Sequence, residues 1–146
     1  MFTAQRTSLM NEANPVIYMA DDDADDRYFM RQSLQHVYPS VTIVEAKDGA
    51  ELLTLLGNWS QSLTAQPIQV ILLDMNMPKL NGLETLMALK ANPLLRHIPT
   101  VILSTDAQPV QIATAYQAGA SQYLEKPTSY SGLDQIAQTI RSCFSA

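Results

Sequence analysis

Five short β-rich runs alternate with five stretches of helical spacing, and this alternation limits the fold more than any other feature. The runs are VIYMA (16–20), VTIVEA (41–46), IQVILLD (68–74), PTVILS (99–104) and SQYLE (121–125). Strict strand–helix alternation predicts an α/β fold in which a parallel sheet carries helices on both faces. IQVILL is apolar almost throughout, as a central strand covered on both sides requires. Right-handed crossovers leave few topologies, and the expected one is a doubly wound five-stranded sheet in the flavodoxin-like order 2-1-3-4-5.

The intervening segments supply the helices. Leu133, Ile136, Ala137, Ile140, Cys143 and Phe144 form the clearest stripe, and Met30, Leu34 and Val37 form a weaker one. Leu83, Leu86 and Met87 repeat the spacing after Gly82. Ile112, Ala115 and Tyr116 repeat it after Pro109, a residue suited to a first helical turn. Gly119 is placed to close that helix as a left-handed residue. Residues 1–14 are polar and aperiodic and read as a flexible lead-in to one domain over 15–146. GNWSQSLTAQP (57–67) reads as a polar loop from which Trp59 folds back as a half-buried aromatic.

Composition removes several classes of function. A hydrophobic fraction of 47% with 16% charged residues describes a globular chain. Cys143 is the only cysteine, which excludes an intramolecular disulfide and a thiolate zinc cage. No run approaches the ~18–20 apolar residues of a membrane span, and MFTAQRTSLMNEAN lacks a signal-peptide apolar core. The expectation is a soluble cytoplasmic protein without a membrane partner. A pI near 4.8 and the lack of a basic stripe argue against a nucleic-acid partner.

The acidity is local. The formal net charge is −5, from 14 acids and 9 bases. Five of the acids are Asp21, Asp22, Asp23, Asp25 and Asp26. In open α/β sheets ligands bind at the carboxyl ends of the strands. There stand Asp21 and Asp22 after strand 1, Asp74 at the end of strand 3, Ser104 at the end of strand 4, and Lys126 after strand 5. Carboxylates a few ångströms apart repel by ~4 kcal/mol per pair at an effective dielectric near 20. They need a cation, and oxygen donors without sulfur or imidazole select a hard divalent ion, of which Mg²⁺ is the natural choice. Lys126 adds a compact positive group suited to a phosphoryl oxygen. Asp74 could then attack an activated phosphoryl group.

Four motifs, in order, carry a resemblance: DDD (21–23), DMNMPKLNG (74–82), LST (103–105) and EKP (125–127). Together they resemble the receiver domain of two-component response regulators over residues 16–144, and the ADDDADD run is similar to stand-alone receivers of the phytochrome-response-regulator type. The resemblance implies that Asp74 accepts the phosphoryl group. It implies that Asp22, Asp74 and the Asn76 backbone carbonyl hold Mg²⁺, with Asp21 acting through water. Ser104, Thr105 and Lys126 would bind the phosphoryl oxygens. Tyr123 would be the switch aromatic, and the Lys126–Pro127 bond would be cis. Asn76 and Asp106 would tune hydrolysis of the phosphoryl group, giving a lifetime of seconds to minutes. Implied partners are a sensor histidine kinase or phosphotransfer protein and a downstream protein, with a homodimer as a further option.

Simpler roles stand beside these. Asp23 suits the N-cap of the first helix, and Asp25 and Asp26 suit its first turn, where negative charge meets the helix dipole. Lys126 alone reads as a solvated lysine, and Tyr123 alone as a half-buried strand aromatic. His36 and His97 read as surface residues and the methionines as core filler. Two other functions compete with the switch. A phosphorylation-independent scaffold is disfavoured because every expected site position is filled. An aspartate-nucleophile phosphatase of the haloacid-dehalogenase type needs an acid two residues after the nucleophile, where this chain has Asn76.

Overall fold

Each β-rich run forms a strand, and strands and helices alternate along the whole path. In the computed structural model, which describes residues 14–144, the elements are β1 (Val16–Ala20), α1 (Ala24–Val37), β2 (Thr42–Ala46), α2 (Gly49–Gln61), β3 (Val70–Asp74), α3 (Gly82–Ala91), β4 (Thr100–Ser104), α4 (Pro109–Gln117), β5 (Gln122–Glu125) and α5 (Tyr130–Phe144). The five strands are parallel in the order β2-β1-β3-β4-β5. This is the doubly wound flavodoxin-like order expected from the alternation. The lead-in expected over 1–14 lies, apart from Asn14, outside the described residues.

The apolar runs are explained by the two faces of the sheet. Val16, Tyr18, Ala20, Ile71, Leu73 and Ile102 enter one core, with Leu52 and Leu56 of α2, Leu86 and Leu89 of α3 and Ala115 of α4. Ile17, Met19, Val70, Leu72, Val101 and Leu103 enter the other, with Met30 and Leu34 of α1 and Ile136, Ala137 and Ile140 of α5. Successive residues of a strand point to opposite faces, so a strand covered on both sides must be apolar at every position. Helices α1 and α5 therefore cover one face, and α2, α3 and α4 the other.

Helix starts follow local chemistry. The Asp23 carboxylate accepts N–H bonds from Asp25 and Asp26 and caps α1. Asp48 caps α2 through the Glu51 N–H. Asn81 and Glu84 form a reciprocal capping box at α3. Pro109 opens α4, and Gly119 closes it at φ +109°, the left-handed conformation expected for it.

Three expectations need correction. The polar loop expected over 57–67 is helical as far as Gln61. Leu52, Leu56 and Trp59 continue one helical stripe, and Trp59 packs half-buried on the core while its Nε1–H donates to the Gln66 carbonyl at 2.8 Å. That burial outweighs the weak helix propensity of Gly57 and Asn58. In α3, Met87 is exposed, and the buried side is Thr85, Leu86 and Leu89. In α4 only Ala115 is buried, while Tyr116 is largely exposed and accepts the Tyr123 N–H through its hydroxyl. His36 and His97 are exposed, as expected.

Two glycines behave oppositely. A Cβ at Gly82 would lie 2.5 Å from the Asp74 carbonyl oxygen and 2.8 Å from Met75 Cα. Gly82 thus lets α3 start against the end of β3, and its own N–H donates to Met75 O at 2.9 Å. Nothing lies within 4 Å of a Cβ at Gly57. Urea unfolding should show Gly82→Ala losing ~1–3 kcal/mol through backbone overpacking, and Gly57→Ala gaining ~0.5–1 kcal/mol through helix propensity.

Candidate functional site

Parallel pairing brings the carboxyl ends of the strands to one edge. Ala20 pairs with Leu73, Asp74 with Leu103, and Ser104 with Glu125. Asp21 therefore leaves β1 beside the end of β3, and Lys126 leaves β5 on the same edge.

Three carboxylates gather there. Asp21, Asp22 and Asp74 each present an oxygen within 4.8 Å of the others. Asp21 and Asp74 are buried, whereas Asp22 faces solvent. The donor set is entirely oxygen, which fits a hard divalent cation and does not suit softer metals. A bound ion of that kind would supply positive charge against the carboxylates and hold oxygens of an incoming group.

Lys126 stands among the acids. Its Nζ lies 2.9 Å from Asp21 Oδ2, 3.2 Å from Asp26 Oδ2 and 3.3 Å from Asp74 Oδ1. Burial pushes the Asp74 carboxyl up to about 6, the Asp21 charge adds to that push, and Lys126 and the Asn76 N–H oppose it. Asp21 is raised for the same first reason, burial, against the Asp23 N–H and Lys126. Burial works against the charge of Lys126. Its bond to Asp21 and the charges of Asp21 and Asp74 outweigh that, so its pKa is raised.

The backbone fixes these groups. Asp21 Oδ1 accepts the Asp23 N–H at 2.9 Å, so one carboxylate both shapes the β1–α1 loop and faces the site. The Arg27 guanidinium donates to the Asp21 carbonyl at 2.6 Å and pairs with Glu45 on β2 at 3.2 Å. Arg31 also donates to Glu45. The Asn76 N–H reaches Asp74 Oδ1 at 3.4 Å.

The other expected residues divide. Thr105 and Pro127 line the same cleft of about 180 Å³ as Asp21, Asp26, Asp74 and Lys126, with Phe29, Met30 and Leu133 as apolar lining. Ser104 is fully buried, and its Oγ accepts the Asp106 N–H at 3.0 Å. The half-buried Tyr123 donates its hydroxyl to the Asp106 carbonyl at 2.5 Å. Ser104 and Tyr123 thus both hold Asp106 in the β4–α4 loop.

The expected cis bond before Pro127 is corrected, because all peptide bonds among the described residues are trans. The trans form is favoured by ~0.5–1 kcal/mol unless the surroundings lock the other. Just past the end of β5, the Lys126 N–H donates to Ser104 O at 2.8 Å.

Two site residues were not foreseen. Asp26 reads from sequence as a helix-start acid, and it does sit in the first turn of α1, yet it also reaches Lys126. No local rule reports that second contact, because Lys126 lies 100 positions away. Arg27 carries no signal beyond its place after the acidic run.

Comparison with known proteins agrees with this geometry. The response regulator receiver domain model matches residues 17–138. The chain is 28% identical over 136 residues to response regulator Rcp1 of Synechocystis sp., covering 92% of both proteins. It is 33% identical over 113 residues to a probable cyclic di-GMP phosphodiesterase of Vibrio cholerae, where the match covers 77% of this chain but 23% of that protein. Among solved structures, the phosphorylated cyanobacterial phytochrome response regulator RcpA superposes with a TM-score of 0.80 at 30% identity, covering 90% of this chain and 94% of that one. The Mn²⁺-bound form of Rcp1 superposes with a TM-score of 0.77 at 27% identity, with the same coverage. With its strand order, its acidic edge and a family match over most of its length, the chain belongs to the response regulator receiver domain family.

Proposed function

We propose that this receiver is a Mg²⁺-dependent phosphoacceptor switch and that Asp74 takes the phosphoryl group. The observation that carries the reading is the approach of Lys126 Nζ to Asp74 Oδ1, 3.3 Å, beside three carboxylates able to share one cation. Asp22, Asp74 and the Asn76 carbonyl would hold the metal directly, and Asp21 would act through water. That a similar protein, Rcp1, has an Mn²⁺-bound form supports a divalent ion here.

The donor is a phosphohistidine of a histidine kinase or phosphotransfer protein. An Asp74 oxygen forms the bond to phosphorus as the P–N bond breaks, and the imidazole nitrogen keeps the electron pair. Positioning and charge neutralisation supply most of the catalysis in such transfers. Thr105 and Lys126 would meet the phosphoryl oxygens. Ser104 would join them by giving up its bond to Asp106, and Tyr123 shares that loop. The switch would thereby reach the face of α4, β5 and α5 and a downstream protein.

The test is incubation with acetyl phosphate and Mg²⁺ followed by intact mass. The expected result is a gain of one phosphoryl group, lost on chelation and in Asp74→Asn; no gain under any condition would favour a scaffold. The half-life should be seconds to minutes, and Asp106→Ala should change it. An hours-long half-life unaffected by that substitution would remove Asn76 and Asp106 from the tuning role.

The site also predicts a pH dependence in metal-free protein. The folded-state pKa of Asp74, about 6, lies above its ordinary value of 3.8. A raised carboxyl contributes stability below pH 4 that disappears as the pH rises through 6. Asp74→Asn should therefore stabilise the metal-free protein at pH 7.5 by ~1–2 kcal/mol after allowance for solvent screening. That gain should shrink as the pH falls through 6 and vanish below pH 4, and Mg²⁺ should narrow it at pH 7.5. Thermal melts across this range read both effects.

A further inference from the structure

We infer that Asp26 is the exchangeable counter-ion of Lys126, holding the ammonium N–H that a phosphoryl group on Asp74 must take over. This rests on the phosphoacceptor reading and adds a residue that tunes it.

An ammonium has three N–H donors and no acceptor. Lys126 faces three carboxylates, Asp21, Asp26 and Asp74, at 2.9, 3.2 and 3.3 Å. Two of its donors are hydrogen-bonded, to Asp21 and Asp26, and Asp74 is held as an ion pair at 3.3 Å, so a phosphoryl group on Asp74 can take one of those bonded N–H groups only if Asp21 or Asp26 lets go. The three partners are not equivalent. The Asp21 and Asp74 side chains are 8% and 7% exposed, and the Asp26 side chain is 49% exposed. Releasing a buried carboxylate leaves it without water, which is costly. Releasing Asp26 lets solvent replace the ammonium, so Asp26 is the partner that yields.

Its backbone is fixed whichever way the side chain points. Asp26 lies in the first turn of α1, and its N–H is held by the Asp23 cap. The carboxylate can thus swing between Lys126 and water without disturbing the helix. When a phosphoryl group arrives on Asp74, Asp26 yields. While the group is present, Asp26 competes to recover Lys126. Asp26 would slow phosphorylation and hasten the return to the free carboxylate.

The test compares Asp26→Asn with Asp25→Asn. Both remove one negative charge from the first turn of α1, but only Asp26 touches Lys126. Purified parent and variants are treated with acetyl phosphate and Mg²⁺. An Asp74 oxygen bonds to phosphorus, and acetate leaves with the electron pair of the broken P–O bond. Initial rates are read by intact mass, lifetimes after donor removal, and folding by thermal melts.

Asp26→Asn should raise the initial rate and lengthen the lifetime, each by about two- to five-fold, as befits a half-exposed ion pair. Asp25→Asn should match the parent in both. Equal behaviour of the two variants, or a slower Asp26→Asn, overturns this inference alone. Failure of the parent to gain a phosphoryl group overturns the phosphoacceptor reading and this inference with it. Asp26→Ala, which also removes the side-chain acceptor, should change both quantities in the same direction as Asp26→Asn.

Discussion

A single ammonium among buried carboxylates sets the terms for the rest of the site. Asp21 and Asp74 are both buried, and burial raises the pKa of each. Two such groups a few ångströms apart would repel by ~4 kcal/mol at an effective dielectric near 20. Lys126 opposes that repulsion from the far side of β4. In the order β3-β4-β5 its strand stands two places from Asp74, about 9–10 Å at ordinary strand spacing. A long aliphatic stem ending in a compact charge can cross that gap. Ser104, small and fully buried, ends the strand between them.

The backbone around the acids is arranged to hold them still. The Asp21 carboxylate takes one hydrogen bond from its own loop and one from Lys126. Its carbonyl is gripped by Arg27, which is anchored in turn on Glu45 of the edge strand β2. Helix α1 starts two residues after Asp22 under the Asp23 cap, so the positive end of its dipole also faces this edge. Gly82 does the corresponding work beyond β3, where only a hydrogen fits against the Asp74 carbonyl.

Most of this was legible in the residues because it follows from one-dimensional rules. The strands read correctly because both sheet faces are covered, so apolar runs need no alternation. Strand-end residues read as a site because parallel pairing forces them to one edge. What escaped did so for definable reasons. Asp26 satisfied a local rule, acid at a helix start, and nothing local reports that Lys126, 100 positions away, also reaches it. The run 57–61 looked like a loop because Gly57, Asn58 and Ser60 are weak helix formers, whereas the deciding quantity was burial of Trp59 against a distant core. Met87 and Tyr116 kept helical spacing yet face solvent, because spacing gives a stripe but not its edges. Lys126–Pro127 follows the ordinary trans preference of X–Pro bonds.

The local acidity that makes the chain carry −5 has a functional corollary. Asp23 and Asp25 belong to the start of α1, which leaves Asp21, Asp26 and Asp74 around one ammonium and Asp22 beside Asp21 and Asp74. An acyl phosphate on Asp74 would exchange one negative charge for about two. The edge is already too acidic to accept that increment unaided, so phosphorylation would require a divalent cation as well as Lys126. The same excess of carboxylate would keep the phosphorylated state from becoming too stable, because every acid that helps hold the metal also repels the phosphoryl oxygens. A reversible switch would need both tendencies, and here both would come from Asp21, Asp22, Asp26 and Asp74.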